Sequence, residues 1–229
     1  MSNKVDFDDY TENYNELLRE GTGFFSSSEE YFARYKVNLV RQQVATPIKR
    51  LLEYGCGIGR NIPFLQQAFP NAIIMGSDIS SASLEIARRD NTGVEFFLED
   101  ENTVPTNTFD LIFVAGVFHH IPVAQRLDVA KTLYSRLSPN GQLFVFEHNP
   151  YNPITRRIVS NCPYDEDADL LKPSELQRTL SETGLNLEHK AYCLFVPPSL
   201  SMLTWLENWL GWLPLGGQYW VQAKRPPIK

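Results

Sequence analysis

The chain has 229 residues, 43% of them hydrophobic and 21% charged, with a formal net charge of −6. A chain of this length and mix buries a full core without staples. Its acidic balance argues against nucleic acid or an anionic membrane as the main partner, because both call for clustered Lys and Arg. Cys56, Cys162 and Cys193 stand far apart, with no CxxC pair and no Cys/His ligand spacing, which reads as reduced thiols in a cytoplasmic protein. The polar start MSNKVDFDDYTENYNELL has no apolar h-region, and no apolar run approaches the ~20 residues of a membrane span. Neither secretion nor stable membrane insertion is expected.

In chain order, residues 1–46 read as a helical lead-in, with aromatic and aliphatic residues at helical spacings and Ser28 as a candidate N-cap. After Pro47 an alternation begins. Strands are expected at 50–54, 72–77, 94–98, 109–115, 142–147, 187–196 and 218–224. Helices are expected at 60–68, 80–89, 123–137 and 173–183. Strand and helix in turn imply an α/β, doubly wound, Rossmann-like sheet of seven mostly parallel strands with helices on both faces. The last two strands lack an ordinary crossover helix between them, so the last one is expected to run antiparallel. The segments 149–172 and 197–217 read as insertions over the ligand-binding ends of the strands. Residues 1–46 then form an N-terminal helical lid, and 47–229 the main domain.

The stretch LLEYGCGIGRNIPFL, Leu51 to Leu65, runs a strand into three glycines and then a helix. A dinucleotide loop, GxGxxG, needs glycine where this chain has Arg60, and a P-loop needs Gly-Lys-Ser/Thr. Neither phosphate loop fits. Acids supply the alternative. Glu53 precedes the first glycine and suits an ammonium group. Asp78 ends the second strand and can accept from two ribose hydroxyls. Asp100 ends the third strand and can accept from an adenine amine. Amine, ribose and adenine without phosphate describe S-adenosylmethionine.

At this point the chain resembles the class I S-adenosylmethionine-dependent methyltransferases, of the bacterial small-molecule type. Their first motif, E/D-x-G-x-G-x-G, matches Glu53-Tyr54-Gly55-Cys56-Gly57-Ile58-Gly59. Their ribose acid matches Asp78, followed by Ile79 on the adenine, and their adenine-contacting acid matches Asp100, followed by Glu101. FDLIFVAGVFHHIP and LSPNGQLFVFEH resemble the fourth and fifth motifs. The resemblance implies a cofactor site of Glu53, Gly55, Cys56, Gly57, Asn61, Asp78, Ile79, Asp100, Glu101, Ala115 and His119.

Methyl transfer needs an aligned nucleophile, and a base where that nucleophile is a hydroxyl or an ammonium. His119, Glu147 and His148, beyond strands four and five, are the catalytic candidates. His119 and His120 are not expected to face the same way from a strand end; one faces the pocket and the other caps or packs. No metal trio is evident, and YDEDADL reads as a solvated loop. Tyr14, Tyr31, Asn149, Arg156 and Arg157 are the candidate substrate contacts. The arginine pair suggests an acidic, sugar- or nucleotide-linked acceptor, methylated at O or N. Two Asn-Pro steps make HNPYNPITRR stiff and extended. Arg34 is a candidate for the methionine carboxylate. The Trp-rich stretch 199–213 reads as packing with a lid or homodimer contact. Two other classes stay open: an NAD-dependent oxidoreductase and a non-catalytic cofactor-binding module.

Overall fold

The computed structural model describes residues 29–99 and 104–227. Its elements are α1 (Glu29–Gln43), β1 (Arg50–Tyr54), α2 (Ile62–Ala68), β2 (Ile73–Asp78), α3 (Ser81–Asp90), β3 (Glu95–Leu98) and β4 (Phe109–Ala115). They continue with α4 (Val123–Arg136), β5 (Leu137–His148), α5 (Pro153–Asn161), α6 (Pro173–Glu182), β6 (Asn186–Cys193), α7 (Glu207–Leu210) and β7 (Gln218–Lys224). Short 3-10 turns cover Phe118–His120, Pro163–Asp165 and Pro198–Leu206.

The seven strands form one sheet in the order β3-β2-β1-β4-β5-β7-β6. All neighbours are parallel up to β5, and β7 runs antiparallel between β5 and β6. The sheet is sandwiched because its strands are apolar on both faces. On one face Val37 and Val40 of α1, Ile62 and Leu65 of α2, and Leu84 and Ala87 of α3 cover Leu51, Leu111 and Phe113. On the other, Ala130 and Leu133 of α4 and Leu176 and Leu180 of α6 cover Leu52, Ile112 and Val114. The strand order reverses between β1 and β4, so their carboxyl ends splay apart and leave the crevice in which ligands of such sheets bind.

Two segments differ from the sequence reading. The strand expected at 142–147 begins earlier, at Leu137, and takes in Ser138-Pro139-Asn140-Gly141 as an irregularity opposite the step from Phe109 to Leu111. Asn140 adopts φ 65° there. The stretch expected to be stiff and extended contains α5. Asn152 is indeed extended, but its side chain accepts from the Ile154 and Thr155 amides at 2.9 and 3.1 Å as an N-cap. Pro153 follows in the first turn, where proline lacks only an N–H that the helix would not use.

Candidate active site

The glycine loop is built differently at each of its three positions. Gly55, Gly57 and Gly59 all have positive φ, at 69°, 52° and 78°. A Cβ on Gly55 would lie 2.4 Å from Val117 Cγ2, and one on Gly59 would lie 2.6 Å from Asn91 Nδ2. A Cβ on Gly57 would meet nothing within 4 Å, because that residue borders the cavity. Two glycines therefore let the loop pack, and the middle one clears backbone for a ligand. The Gly55 and Cys56 amides donate to Ser77 O at 2.8 and 2.9 Å, tying the loop to β2.

Asp78 braces the same loop from the end of β2. Its Oδ2 accepts from the Gly57 amide at 2.7 Å and its Oδ1 from the Ser80 amide at 2.9 Å. Burial raises its pKa, against the pull of those amides. Glu53 lies beneath the loop and is 1% exposed. Asn61 Nδ2 donates to its Oε1 at 2.5 Å, while Oε2 is buried with no hydrogen-bond partner. Glu53 does not line the cavity; its orphaned oxygen lies behind Asn61, which does, so a carboxyl here suits the ammonium end of S-adenosylmethionine through that amide. Lys36 of α1 reaches the cavity wall with its pKa lowered by burial.

Burial pushes the Glu53 carboxyl up to about 8, from an ordinary 4.5. Between those values the folded chain keeps a proton that the unfolded chain has lost. Stability should therefore fall as pH rises from about 4.5 to about 8. Chemical denaturation of wild type and Glu53→Gln at both ends of this window checks it. The variant should lose this component of the slope; an identical slope in both proteins would refute the assignment.

Above the loop the cavity has a volume of about 520 Å³. Gly55, Cys56, Gly57, Asn61, Asp78, Ile79, Ala115, His119 and His148 line it. Asp100 and Glu101 fall outside the described residues, as does Tyr14. Glu99 lines the cavity, its two carboxylate oxygens each accepting from the Arg136 guanidinium at 2.8 Å.

The far wall is a cluster of imidazoles and acids. Gly116, at φ 70°, turns the chain out of β4 into the 3-10 turn Phe118–His120. His119 Nδ1 lies 2.6 Å from Glu147 Oε2, and Glu147 Oε1 accepts from the Val117 and Phe118 amides at 3.0 and 2.7 Å. Nε2 of His119 and Nε2 of His120 stand 3.5 and 3.4 Å from Asp165 Oδ1. Asp167 Oδ1 holds His120 Nδ1 at 3.1 Å. Burial alone would lower the pKa of His119, but Glu147 and Asp165 outweigh it and push the group up to about 9. His148, with its ring 4.9 Å from that of His119, is pushed down to about 4 by burial and by that neighbour's charge. Burial works against the ionised forms of Glu147 and Asp165, yet the imidazoles hold both below the usual carboxylate range.

These placements correct several expectations. His119 and His120 do face one point, because a 3-10 turn, not a strand, carries them. YDEDADL is a solvated loop only in part: the Asp165 and Asp167 side chains are 10% and 11% exposed, while Glu166 and Asp169 face solvent. Asp169 N donates to His119 O at 2.8 Å, and buried Arg126 donates to Ile121 O and Asp169 O, clamping the segment to the histidine turn. Glu147 is buried behind His119, with both oxygens engaged, and does not line the cavity. Asn149 is buried away from it, donating to Pro214 O and Gly216 O at 3.1 and 2.7 Å. Arg156 and Arg157 point outward on α5; Asn152, Ile154, Thr155 and Ile158 are the residues around that helix that line the cavity. Tyr31 also misses it, and its hydroxyl donates to Val196 O at 3.4 Å; Phe32, Ala33 and Lys36 line it from α1. Arg34 is exposed, over the Phe64 ring.

The Trp-rich stretch is not core packing. Trp205, Trp209 and Trp212 are all exposed. The stretch is anchored by buried Glu207, which accepts from the amides of Leu194, Phe195 and Val196 and from the Tyr35 hydroxyl. No described helix is long and apolar enough to cross a membrane.

An open α/β sheet with its crevice at the β1–β4 switch, a cleared glycine loop and strand-end acids define a class I S-adenosylmethionine-binding fold. Residues 51–141 match the family model described as a methyltransferase domain. Trans-aconitate 2-methyltransferase of Acidovorax sp. (strain JS42) is 26% identical to this chain, over 79% of it and 75% of the relative. A SAM-dependent methyltransferase from Archaeoglobus fulgidus superposes with a TM-score of 0.67, at 15% identity, over 93% of this chain and all of the other. The plantazolicin methyltransferase BpumL in complex with SAH does so with a TM-score of 0.66, at 14% identity, over 96% and 94%. Residues 51–141 thus carry a methyltransferase domain, and the chain as a whole has the class I S-adenosylmethionine-dependent methyltransferase fold.

Proposed function

We propose that the enzyme moves the methyl group of S-adenosylmethionine to a hydroxyl oxygen of a small acceptor held against His119, His120 and His148. The carrying observation is the His119–Glu147 pair in the cavity wall, with Nε2 turned toward the cavity and Asp165. S-adenosylmethionine supplies an electrophilic methyl on a positive sulfur, so the protein's task is alignment and removal of the acceptor's proton. In this reading Asp78 holds the ribose hydroxyls, Glu53 through Asn61 the ammonium, and Lys36 the carboxylate of the methionine end. Ile79 covers the adenine.

The acceptor half is bounded by Gln125, Asn152, Thr155 and Gln218, which can orient a polar molecule, and by Ile154, Ile158 and Phe195, which exclude water. A cavity of about 520 Å³ that must also take the methyl donor leaves room for a small acceptor only. The outward Arg156 and Arg157 remove the support for an acidic or nucleotide-linked acceptor. The acceptor's O–H bond breaks, an O–CH3 bond forms as the S–CH3 bond breaks, and the proton leaves to solvent.

Incubation with S-adenosylmethionine and panels of small alcohols and phenols, carboxylates and amines tests this. Methyl ethers and S-adenosylhomocysteine in equal amounts are expected from the hydroxyl panel. Turnover confined to carboxylates or amines would refute the hydroxyl reading.

A further inference from the structure

The histidine–acid cluster has an arrangement that a proton relay does not need. A relay needs one imidazole held by one carboxylate. Here two adjacent imidazoles are each held at Nδ1 by their own carboxylate, Glu147 for His119 and Asp167 for His120. Both then turn Nε2 toward a third carboxylate, Asp165, at 3.5 and 3.4 Å. Those two separations exceed the usual hydrogen-bond range of about 2.7–3.2 Å. They match another geometry. Two ligand atoms each ~2.1 Å from one tetrahedral ion stand about 3.4 Å apart.

We propose that His119 Nε2, His120 Nε2 and the Asp165 carboxylate bind a divalent transition-metal ion of the Zn2+ type, whose remaining position faces the cavity and takes the acceptor's hydroxyl oxygen. Ligand atoms of the three residues lie within 4.8 Å of one another. Two imidazoles, which lose any added proton as the ion binds, and one carboxylate, with a position left for substrate, are a donor set that such an ion takes. Glu147 and Asp167 occupy the places of the outer carboxylates that fix the tautomer of metal-bound imidazoles. The built-in restraint extends further. Arg126 and the Asp169 amide tie the acid segment to the histidine turn, so Asp165 is carried by a pinned loop. A metal here would act as a Lewis acid on the acceptor oxygen, favouring loss of its proton before transfer.

The metal site stands on this cluster alone, while the acceptor role rests on the methyl-transfer reading. The full chain, stripped with a chelator, is titrated with Co2+ by visible absorption and with Zn2+ by calorimetry. One Co2+ per chain is expected, with visible ligand-field bands that Zn2+ abolishes by displacement. His120→Ala and Asp165→Asn should each weaken binding at least tenfold, and Asp167→Asn, which removes no ligand, by roughly 10–100-fold. Near-ultraviolet circular dichroism shows whether each variant is folded, and the three variants together keep the result interpretable if one is not. No stoichiometric metal, or affinity unchanged in both ligand variants, overturns the site. Calorimetry of S-adenosylmethionine with the stripped protein separates the two readings, since donor binding by Asp78 and Glu53 needs no metal. If metal binds but a turned-over hydroxyl acceptor leaves the Co2+ bands unmoved, the acceptor role is overturned and the ion is structural.

Discussion

Replacing Asp78 with alanine is expected to weaken S-adenosylmethionine binding by about 30- to 900-fold, on the order of 2–4 kcal/mol. Two losses add. The carboxylate is the acceptor for the Gly57 and Ser80 amides, at 2.7 and 2.9 Å, so its removal orphans two donors beside the cavity. It is also the group proposed to take the ribose hydroxyls, and a site built around such hydrogen bonds loses steeply when one side is deleted. Calorimetry on wild type, Asp78→Ala and Asp78→Asn separates these. The asparagine variant keeps the shape and one acceptor oxygen, so it should fall between the other two. Alanine binding within threefold of wild type would remove Asp78 from the donor site.

Glu147→Ala should cost the fold about 3–5 kcal/mol, the scale for deleting one partner of a buried ionic pair. The side chain is 1% exposed and accepts three hydrogen bonds, from the Val117 and Phe118 amides and from His119 Nδ1. Its loss leaves two amides and an imidazole uncompensated inside the protein. Urea denaturation reads the stability. Glu147→Gln distinguishes stability from chemistry. The glutamine oxygen can still accept from the two amides, so most of the stability should return. Its amide nitrogen, however, would face Nδ1 as a donor and force the His119 proton onto Nε2. That tautomer can neither accept a proton at Nε2 nor ligate an ion there. Methyl transfer should therefore stay at least about a hundredfold down in Glu147→Gln, within the range ascribed to proton-transfer groups. Full activity in a stable Glu147→Gln would show that Glu147 serves the fold alone.

Much of the fold was legible because local chemistry announces it. Each of the seven expected strands overlaps an observed one, since apolar runs between turn residues have few alternatives in an α/β chain. The antiparallel β7 followed from the absence of a crossover helix, and it lies where the long excursion can reach back, between β5 and β6. The helix α5 was missed because a proline was read as a stiffener; Asn152 ahead of Pro153 was the available signal of a capped helix start. At one wall of the cavity, the glycine loop and Asp78 are contiguous with the strand ends that present them, so spacing along the chain carries over to spacing in space.

The opposite wall was read less well, because its residues come together only through long-range contacts. Arg156 and Arg157 have the right chemistry in the right segment, yet the helix phase of α5 sends them outward and turns Thr155 and Ile158 in. Asn149 is spent on the carbonyls of Pro214 and Gly216, 65 and 67 residues away. Glu207, within a stretch of tryptophans, gave no sign that it would cap three amides at the end of β6. The sequence by itself determined the sheet, the glycine loop and the reaction class, because strand periodicity, three glycines at alternate positions and an acid at a strand end are all local features. The tertiary structure alone decided that Asp165 and Asp167 meet His119 and His120 across more than forty residues. That meeting depends on where a clamped loop returns, and no local periodicity records it.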